Sequence, residues 1–238
     1  MTRRFYVAAR ISGLRAELEG SEARHLTQVL RARPGDCVTL FDGSGYEFDA
    51  RLAQVRRERV QLEIVASRAV DRELPHPLTL GVALPRGPRQ GWLVEKCVEL
   101  GVTSLVPLRT ARGVAEASER SLVRLRRAVI EASKQCGRNR LMEIAPPRGL
   151  AELFESLPAD ARGWIAHPAP GALPLGNRLA ELQAQPVFVA VGPEGGFAPE
   201  EIPPSGEGNL LSLGPRILRI ETAACLIAAA IGTAWNRP

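Results

Sequence analysis

Pro186-Val187-Phe188-Val189-Ala190-Val191 runs without a break into Gly192-Pro193-Glu194-Gly195-Gly196-Phe197. The first half is an apolar run of strand length, rich in β-branched residues. The second half places three glycines within five residues. Its backbone can therefore take positive φ and let a ligand approach the main chain, while Pro193 stiffens the turn. A strand exit into a tight ligand loop fits this pattern, and so does an ordinary strand-to-helix turn; glycine content alone leaves both open. The loop carries neither the Gly-Lys-Ser/Thr end of a P-loop nor the Gly-x-Gly-x-x-Gly spacing of a dinucleotide fingerprint.

A second strand exit follows in Leu211-Ser212-Leu213-Gly214-Pro215-Arg216-Ile217-Leu218-Arg219-Ile220-Glu221-Thr222-Ala223-Ala224. The strand stops at Gly214-Pro215, and the apolar pair Ile217-Leu218 comes next. Arg219, Glu221 and Thr222 then sit where an Ala-rich helix begins. Glu221 and Thr222 also suit a helix N-terminus on structural grounds, but capping gives no reason for a second glycine-bearing exit. Around these two exits, residues 78–84, 104–108, 143–144, 164–166, 187–191 and 210–213 read as strands. Residues 90–100, 118–136 and the stretch from Glu221 read as helices. This alternation predicts an α/β domain with a mostly parallel sheet, in which ligands bind beyond the carboxyl ends of the strands.

The first seventy residues have a different texture. Short apolar runs, among them Arg4-Phe5-Tyr6-Val7, Cys37-Val38-Thr39-Leu40-Phe41 and Val60-Gln61-Leu62-Glu63-Ile64-Val65, alternate with turn residues as in a small β-barrel. One helix interrupts them, with Ser21 as the expected N-cap and Leu26, Val29 and Leu30 as its apolar stripe. Asp42-Gly43-Ser44-Gly45 predicts a hairpin turn. Pro75 and Pro77 fall in a polar stretch where the pattern changes, which divides the chain into residues 1–72 and 73–238.

The composition, 45% hydrophobic and 24% charged over 238 residues, is that of a packed globular protein. The longest apolar stretch, residues 223–234, falls short of the ~20 residues of a membrane span. The first residues lack a secretory signal, so no membrane and a cytoplasmic location are expected. Cys37, Cys97, Cys136 and Cys225 are too scattered for a zinc site, so they are expected to be reduced, mostly buried thiols with no metal. Net charge is +5, distributed as +3 over residues 1–72, +7 over 84–148 and −4 over 149–238. Of the 31 basic side chains only Lys96 and Lys134 are lysines. Arginine suits phosphate forks and stacking on bases, although solvated faces alone would also carry such charge.

A third constellation, Glu131-Ala132-Ser133-Lys134-Gln135-Cys136-Gly137-Arg138-Asn139-Arg140, closes a helix that bears Arg124, Arg126 and Arg127. It reads either as a helix C-terminus with a glycine stop and matching cations or as a grip on RNA. Together with Arg3-Arg4-Phe5-Tyr6-Val7, His25-Leu26, Val29-Leu30-Arg31 and the two glycine-bearing exits, it resembles the RsmE family. These are bacterial ribosomal RNA methyltransferases that modify N3 of a uridine in the small-subunit RNA. The matching segments span nearly the whole chain. Two positions depart from the family's pattern: Arg86 stands where relatives commonly carry Lys, and Cys136 where Ser is common.

The resemblance implies a SPOUT-type C-terminal domain, α/β with a deep trefoil knot, preceded by a PUA-like RNA-binding β-barrel. It implies S-adenosyl-L-methionine as cofactor, held by Gly192, Pro193, Glu194, Gly195, Gly196, Leu213, Gly214, Ile217, Leu218 and Thr222. A third loop at Ala166 and His167 would complete that site. Arg138, Arg219 and Glu221 are the implied catalytic residues. The implied RNA contacts are Arg3, Arg4, Arg31, Arg86, Arg124, Arg127, Lys134, Gln135 and Arg138, with the small ribosomal subunit as partner and a homodimer as the assembly. A non-catalytic RNA-binding assembly factor, a nucleotide-dependent oxidoreductase and a SPOUT enzyme acting on another base or a ribose 2′-hydroxyl are the competing readings.

Overall fold

Phe5, Leu18, Leu26, Leu40, Leu52 and Leu62 are the buried side chains around which the N-terminal strands close. The computed structural model describes residues 3–115 and 117–235. The chain divides into two units: the part up to Arg72 together with Ile130–Leu141, and Glu73–Val129 together with the residues from Met142 onward.

In the first unit, β1 (Arg4–Tyr6), β2 (Arg15–Glu19), β3 (Cys37–Phe41), β4 (Tyr46–Arg56) and β5 (Arg59–Ala69) form one sheet in the order β1-β3-β4-β5-β2. The predicted hairpin joins β3 to β4, where the buried Asp42 carboxylate accepts bonds from the backbone N–H of Ser44 at 3.0 Å and of Ile11 at 2.9 Å. Burial alone would raise the Asp42 pKa, but these bonds and the Arg10 charge bring it below the usual value. The helix α1 (Gly20–Arg24) starts after Glu19 rather than Ser21 and passes into a π-helical turn over His25–Val29. There the Leu30 N–H donates to the His25 carbonyl oxygen at 3.1 Å. The wider turn breaks the expected stripe: Leu26 is buried while Val29 is 66% exposed.

What keeps residues 130–141 in this unit is a buried carboxylate. Glu47 on β4 is paired with Arg4, with Arg72 at 2.8 Å and with Arg68 at 3.1 Å. Arg4 also donates to Asn139 Oδ1 at 2.7 Å, and Arg72 to the Gly137 carbonyl oxygen at 2.7 Å. Burial by itself would raise the Glu47 pKa, but the hydrogen bonds and charges of Arg72 and Arg4 outweigh it and bring it to about 2. Lys134 joins in through Glu22 at 2.8 Å. Three side chains expected to reach RNA, Arg4, Lys134 and Arg138, are therefore largely buried within their own unit.

The second unit is built on seven strands: β6 (Leu78–Val82), β7 (Ser104–Pro107), β8 (Glu143–Ile144), β9 (Arg162–Ala166), β10 (Leu173–Pro174), β11 (Val187–Val191) and β12 (Leu210–Ser212). They lie in the order β10-β12-β9-β11-β6-β7-β8, and their pairings are parallel. Every residue of β11 is buried, as expected for a parallel strand covered on both faces. The helices are α2 (Arg89–Glu99), α3 (Glu119–Cys136, whose last turns belong to the first unit), α4 (Leu150–Glu155), α5 (Leu175–Ala180), α6 (Pro204–Glu207) and α7 (Ile220–Trp235). Phe154 and Phe188 meet edge to face at 5.6 Å, in a core that also holds Ile165, Ala190 and Phe197. Of the four cysteines, all free, only Cys97 is buried, which corrects the expectation for the other three; Cys37, the first residue of β3, is exposed.

Candidate functional site

Ala166, the last residue of β9, pairs with Val191 of β11 on one side and Leu211 of β12 on the other. Three neighbouring parallel strands thus end in one row, and all three residues face a cavity of ≈ 260 Å³. The methyl group of Ala166 at the middle of the row leaves this space open, where a longer side chain would fill it. The cavity lies beyond the carboxyl ends of the strands, the usual ligand position in an open α/β sheet.

The walls are the loops that leave those strands. Gly192, Pro193, Glu194, Gly195 and Gly196 come from β11, and His167 from β9. Leu213, Gly214, Ile217 and Leu218 come from β12. Gly196 (φ 69°) and Gly214 (φ 102°) occupy the left-handed region, which a side chain at either position would disfavour. Eleven of the twelve residues expected at the cofactor therefore line one cavity. Thr222 does not: it is exposed on the first turn of α7. Pro168, Val191, Leu211, Pro215, Arg216, Ile220 and Ala223 also line the cavity and were not among the residues expected there. Most of these are apolar strand or helix positions that look like ordinary core until the three strand ends are seen side by side.

The His167 N–H donates to the Leu211 carbonyl oxygen at 3.1 Å, which ties the loop after β9 to β12. Among the described residues the buried Nδ1 of its ring has no hydrogen-bond partner. Burial, assisted by the positive charge of Arg112, lowers its pKa below the ordinary histidine value. Two arginines outside every expected motif fix the backbone, one in the cavity wall and one at the start of β12. Arg112 Nη1 donates to the Gly195 carbonyl oxygen at 2.7 Å, and the buried Arg178 donates through Nη2 to the carbonyl oxygens of Gly208 at 2.7 Å and Leu210 at 3.2 Å. Neither has a local sequence signal, because its partner is a backbone carbonyl brought near only by folding.

The expected catalytic residues are not grouped in the cavity. Arg219 is exposed just before α7, and its carbonyl oxygen accepts the first bond of that helix, from the Ala223 N–H at 2.9 Å. Glu221 is buried in the first turn with Oε1 3.5 Å from Arg89 Nη1. Arg138 belongs to the first unit and is buried there. Of the expected RNA contacts, Arg3, Arg31, Arg86, Arg124, Arg127 and Gln135 are exposed. Arg86 donates to the Val114 carbonyl oxygen at 2.8 Å and Arg124 to the buried Gln90 at 2.8 Å, so both present a fixed guanidinium.

Comparison with known proteins places this geometry. Residues 72–232 match the family described as RNA methyltransferase domain, and residues 18–65 match the RNA methyltransferase PUA domain. The ribosomal RNA small subunit methyltransferase E of Synechocystis sp. is 33% identical over 227 residues, covering 90% of this chain and 71% of that protein. The Neisseria gonorrhoeae ribosomal RNA small subunit methyltransferase E, solved with S-adenosyl methionine bound, superposes with a TM-score of 0.85 at 33% identity, covering 99% of this chain and 98% of that one. Lpg2936 from Legionella pneumophila, solved in complex with the cofactor SAM, gives a TM-score of 0.88 at 32% identity, with 98% of each chain covered.

Proposed function

Since the chain belongs to the ribosomal RNA small subunit methyltransferase E family of RNA methyltransferases, we propose that it methylates N3 of a specific uridine in small-subunit ribosomal RNA, with S-adenosyl-L-methionine as donor. The observation that carries this reading is the single cavity into which β9, β11 and β12 all exit.

The cavity suits the donor chemically. Its apolar floor and the side chains of Leu213, Ile217 and Leu218 would accept the adenine, and the glycine loops expose backbone N–H and C=O groups to polar atoms. When bound, S-adenosylmethionine supplies a methyl group on a positively charged sulfur, open to in-line attack by a nitrogen lone pair. The protein's share is positioning, which in well-oriented cases is worth ~7–11 kcal/mol.

Uracil N3 carries a proton that must leave before the nitrogen can attack. The negative charge that results spreads onto the flanking carbonyl oxygens, where a fixed cation stabilises it. Arg219, exposed just before α7, is the cation we assign to this task, with Glu221 orienting an arginine or accepting the proton. The exposed arginines at 3, 31, 86, 124 and 127, with Gln135, would dock the RNA. Further parts of the reading are a cytoplasmic location and a homodimer, the latter supported by Trp92 on α2 and Leu226 on α7, large apolar side chains left exposed. No described helix is long and apolar enough to cross a membrane. We also include a threaded, knotted chain: the late strand β12 lies between the earlier β9 and β10.

The test is to supply labelled donor and purified protein to small ribosomal subunits lacking the modification, then to map the labelled nucleotide. Label recovered in 3-methyluridine at one site supports the proposal. Label in another base or in a ribose refutes the assignment to N3.

A further inference from the structure

We propose that Arg112 is a positioning residue of the donor site: reaching from the loop after β7, it fixes the Gly195 carbonyl and sets the Gly195-Gly196 backbone as a wall that packs against His167. This rests on the cavity being the methyl-donor site.

Three contacts carry the inference. The guanidinium donates to the Gly195 carbonyl oxygen at 2.7 Å. A Cβ placed on Gly195 would meet Arg112 Cδ at 3.4 Å, and one placed on Gly196 would meet His167 Cε1 at 3.5 Å. Consecutive glycines are thus covered by Arg112 and His167 in turn. The same two loops are latched once more by Glu201, whose carboxylate accepts from the Ala111 N–H at 2.9 Å and from the Ala198 N–H at 2.7 Å. A glycine-rich loop held this way loses its freedom before the ligand arrives, so less ordering is left for binding to cost. Arginine suits the task because its planar fork holds a carbonyl in a fixed direction.

Arg112 also acts on the charge of the wall. Arg112 from the loop after β7 is the charge that acts on His167, and Glu194 from the glycine loop and Arg216 from the segment after β12 line the same cavity. Burial and the Arg112 charge both disfavour the imidazolium. A protonated His167 would place positive charge on the wall of a pocket that must receive a sulfonium. S-Adenosylhomocysteine, whose sulfur is neutral, would be far less sensitive to that charge.

The experiment is calorimetric titration of S-adenosylmethionine and S-adenosylhomocysteine into the wild type, R112Q, R112K and H167N between pH 5 and 8. We expect R112Q to bind both ligands about tenfold more weakly at pH 8, the loss of one charge-assisted hydrogen bond. We also expect its acid-side loss of S-adenosylmethionine affinity to begin at higher pH than in the wild type. R112K keeps the charge, so its acid-side loss should stay at the wild-type pH, and in H167N that loss should vanish. A role in folding alone would not move a pH profile for one ligand and spare the other. Wild-type affinity and an unmoved profile in R112Q overturn the proposal. If R112Q does not fold, R112K decides instead, since lysine lacks the planar fork: undiminished affinity for both ligands in R112K overturns the proposal. A wild type that binds neither ligand at any pH overturns the donor-site reading itself.

Discussion

Arg72 Nη1 meets Glu47 Oε1 at 2.8 Å, on a carboxylate whose side chain is only 5% exposed. The same Arg72 nitrogen also donates to the Gly137 carbonyl oxygen at 2.7 Å, so one ion pair joins β4 to the segment that carries Arg138. A carboxylate buried with its cations is costly to break from one side, because the remaining charges lose their partner.

Glu47→Gln should therefore destabilise the protein by about 2–3 kcal/mol at pH 7. The pKa of Glu47 is depressed from 4.5 to about 2, so its contribution is complete above the unfolded-state value and lost as pH falls toward 2. Urea unfolding at pH 7 and at pH 3 should show the gap between wild type and variant shrinking at the lower pH. A gap that is constant with pH would mean that the ion pair does not stabilise the fold.

Ala166→Leu tests the floor of the cavity. The added carbons would project from the middle strand into the space between Val191 and Leu211. Donor affinity should fall at least tenfold, about 1.4 kcal/mol, while the melting temperature changes little, because the cavity can take up the new volume. Retained affinity in a folded A166L would place the donor elsewhere.

Gly214→Ala should cost ~1–2 kcal/mol through the backbone alone. Gly214 has φ 102° and nothing within 4 Å of an added Cβ, so strain is not confounded with a clash. Thermal unfolding and donor titration should fall together, and an unchanged melting temperature would contradict the strain argument.

The basic side chains divide into two groups that salt should separate. Exposed Arg31, Arg86 and Arg127, replaced singly by Ala, should each reduce the slope of log K against log salt for RNA by ~0.7–0.9. Arg4→Ala and Lys134→Ala should lower the melting temperature instead, since these side chains are paired inside the first unit. Filter binding of a small-subunit RNA fragment between low and physiological salt checks both halves.

Much of the site could be read along the chain because the chemistry that marks it is local. A β-branched run ending in Gly192-Pro193-Glu194-Gly195-Gly196, and a leucine-rich run ending at Gly214-Pro215, need only their own backbone preferences to become strand exits. The RsmE resemblance added the third exit at Ala166 and His167. Strand periodicity and turn residues likewise located β3, β4, β5, β6, β7, β9 and β11. The short β10, α4, α5 and α6 left no periodic signal, since two residues show no alternation and six or fewer do not complete two helical turns. The π-turn at His25–Val29 was also illegible, because a wider turn is set by packing and not by composition.

Local signals were enough for most of the strands, for the turns that need glycine and for where positive charge accumulates, all properties of neighbours in the chain. Only the tertiary structure decided that Ala166, Val191 and Leu211 end in one row, that Arg112 and Arg178 serve carbonyl oxygens, and that Arg4 and Lys134 are spent on internal partners. The physical reason is that Arg112 and Gly195 are 83 residues apart, and Arg4 and Asn139 are 135 apart. No local preference encodes such meetings; they are fixed when the strands pair and the apolar faces close.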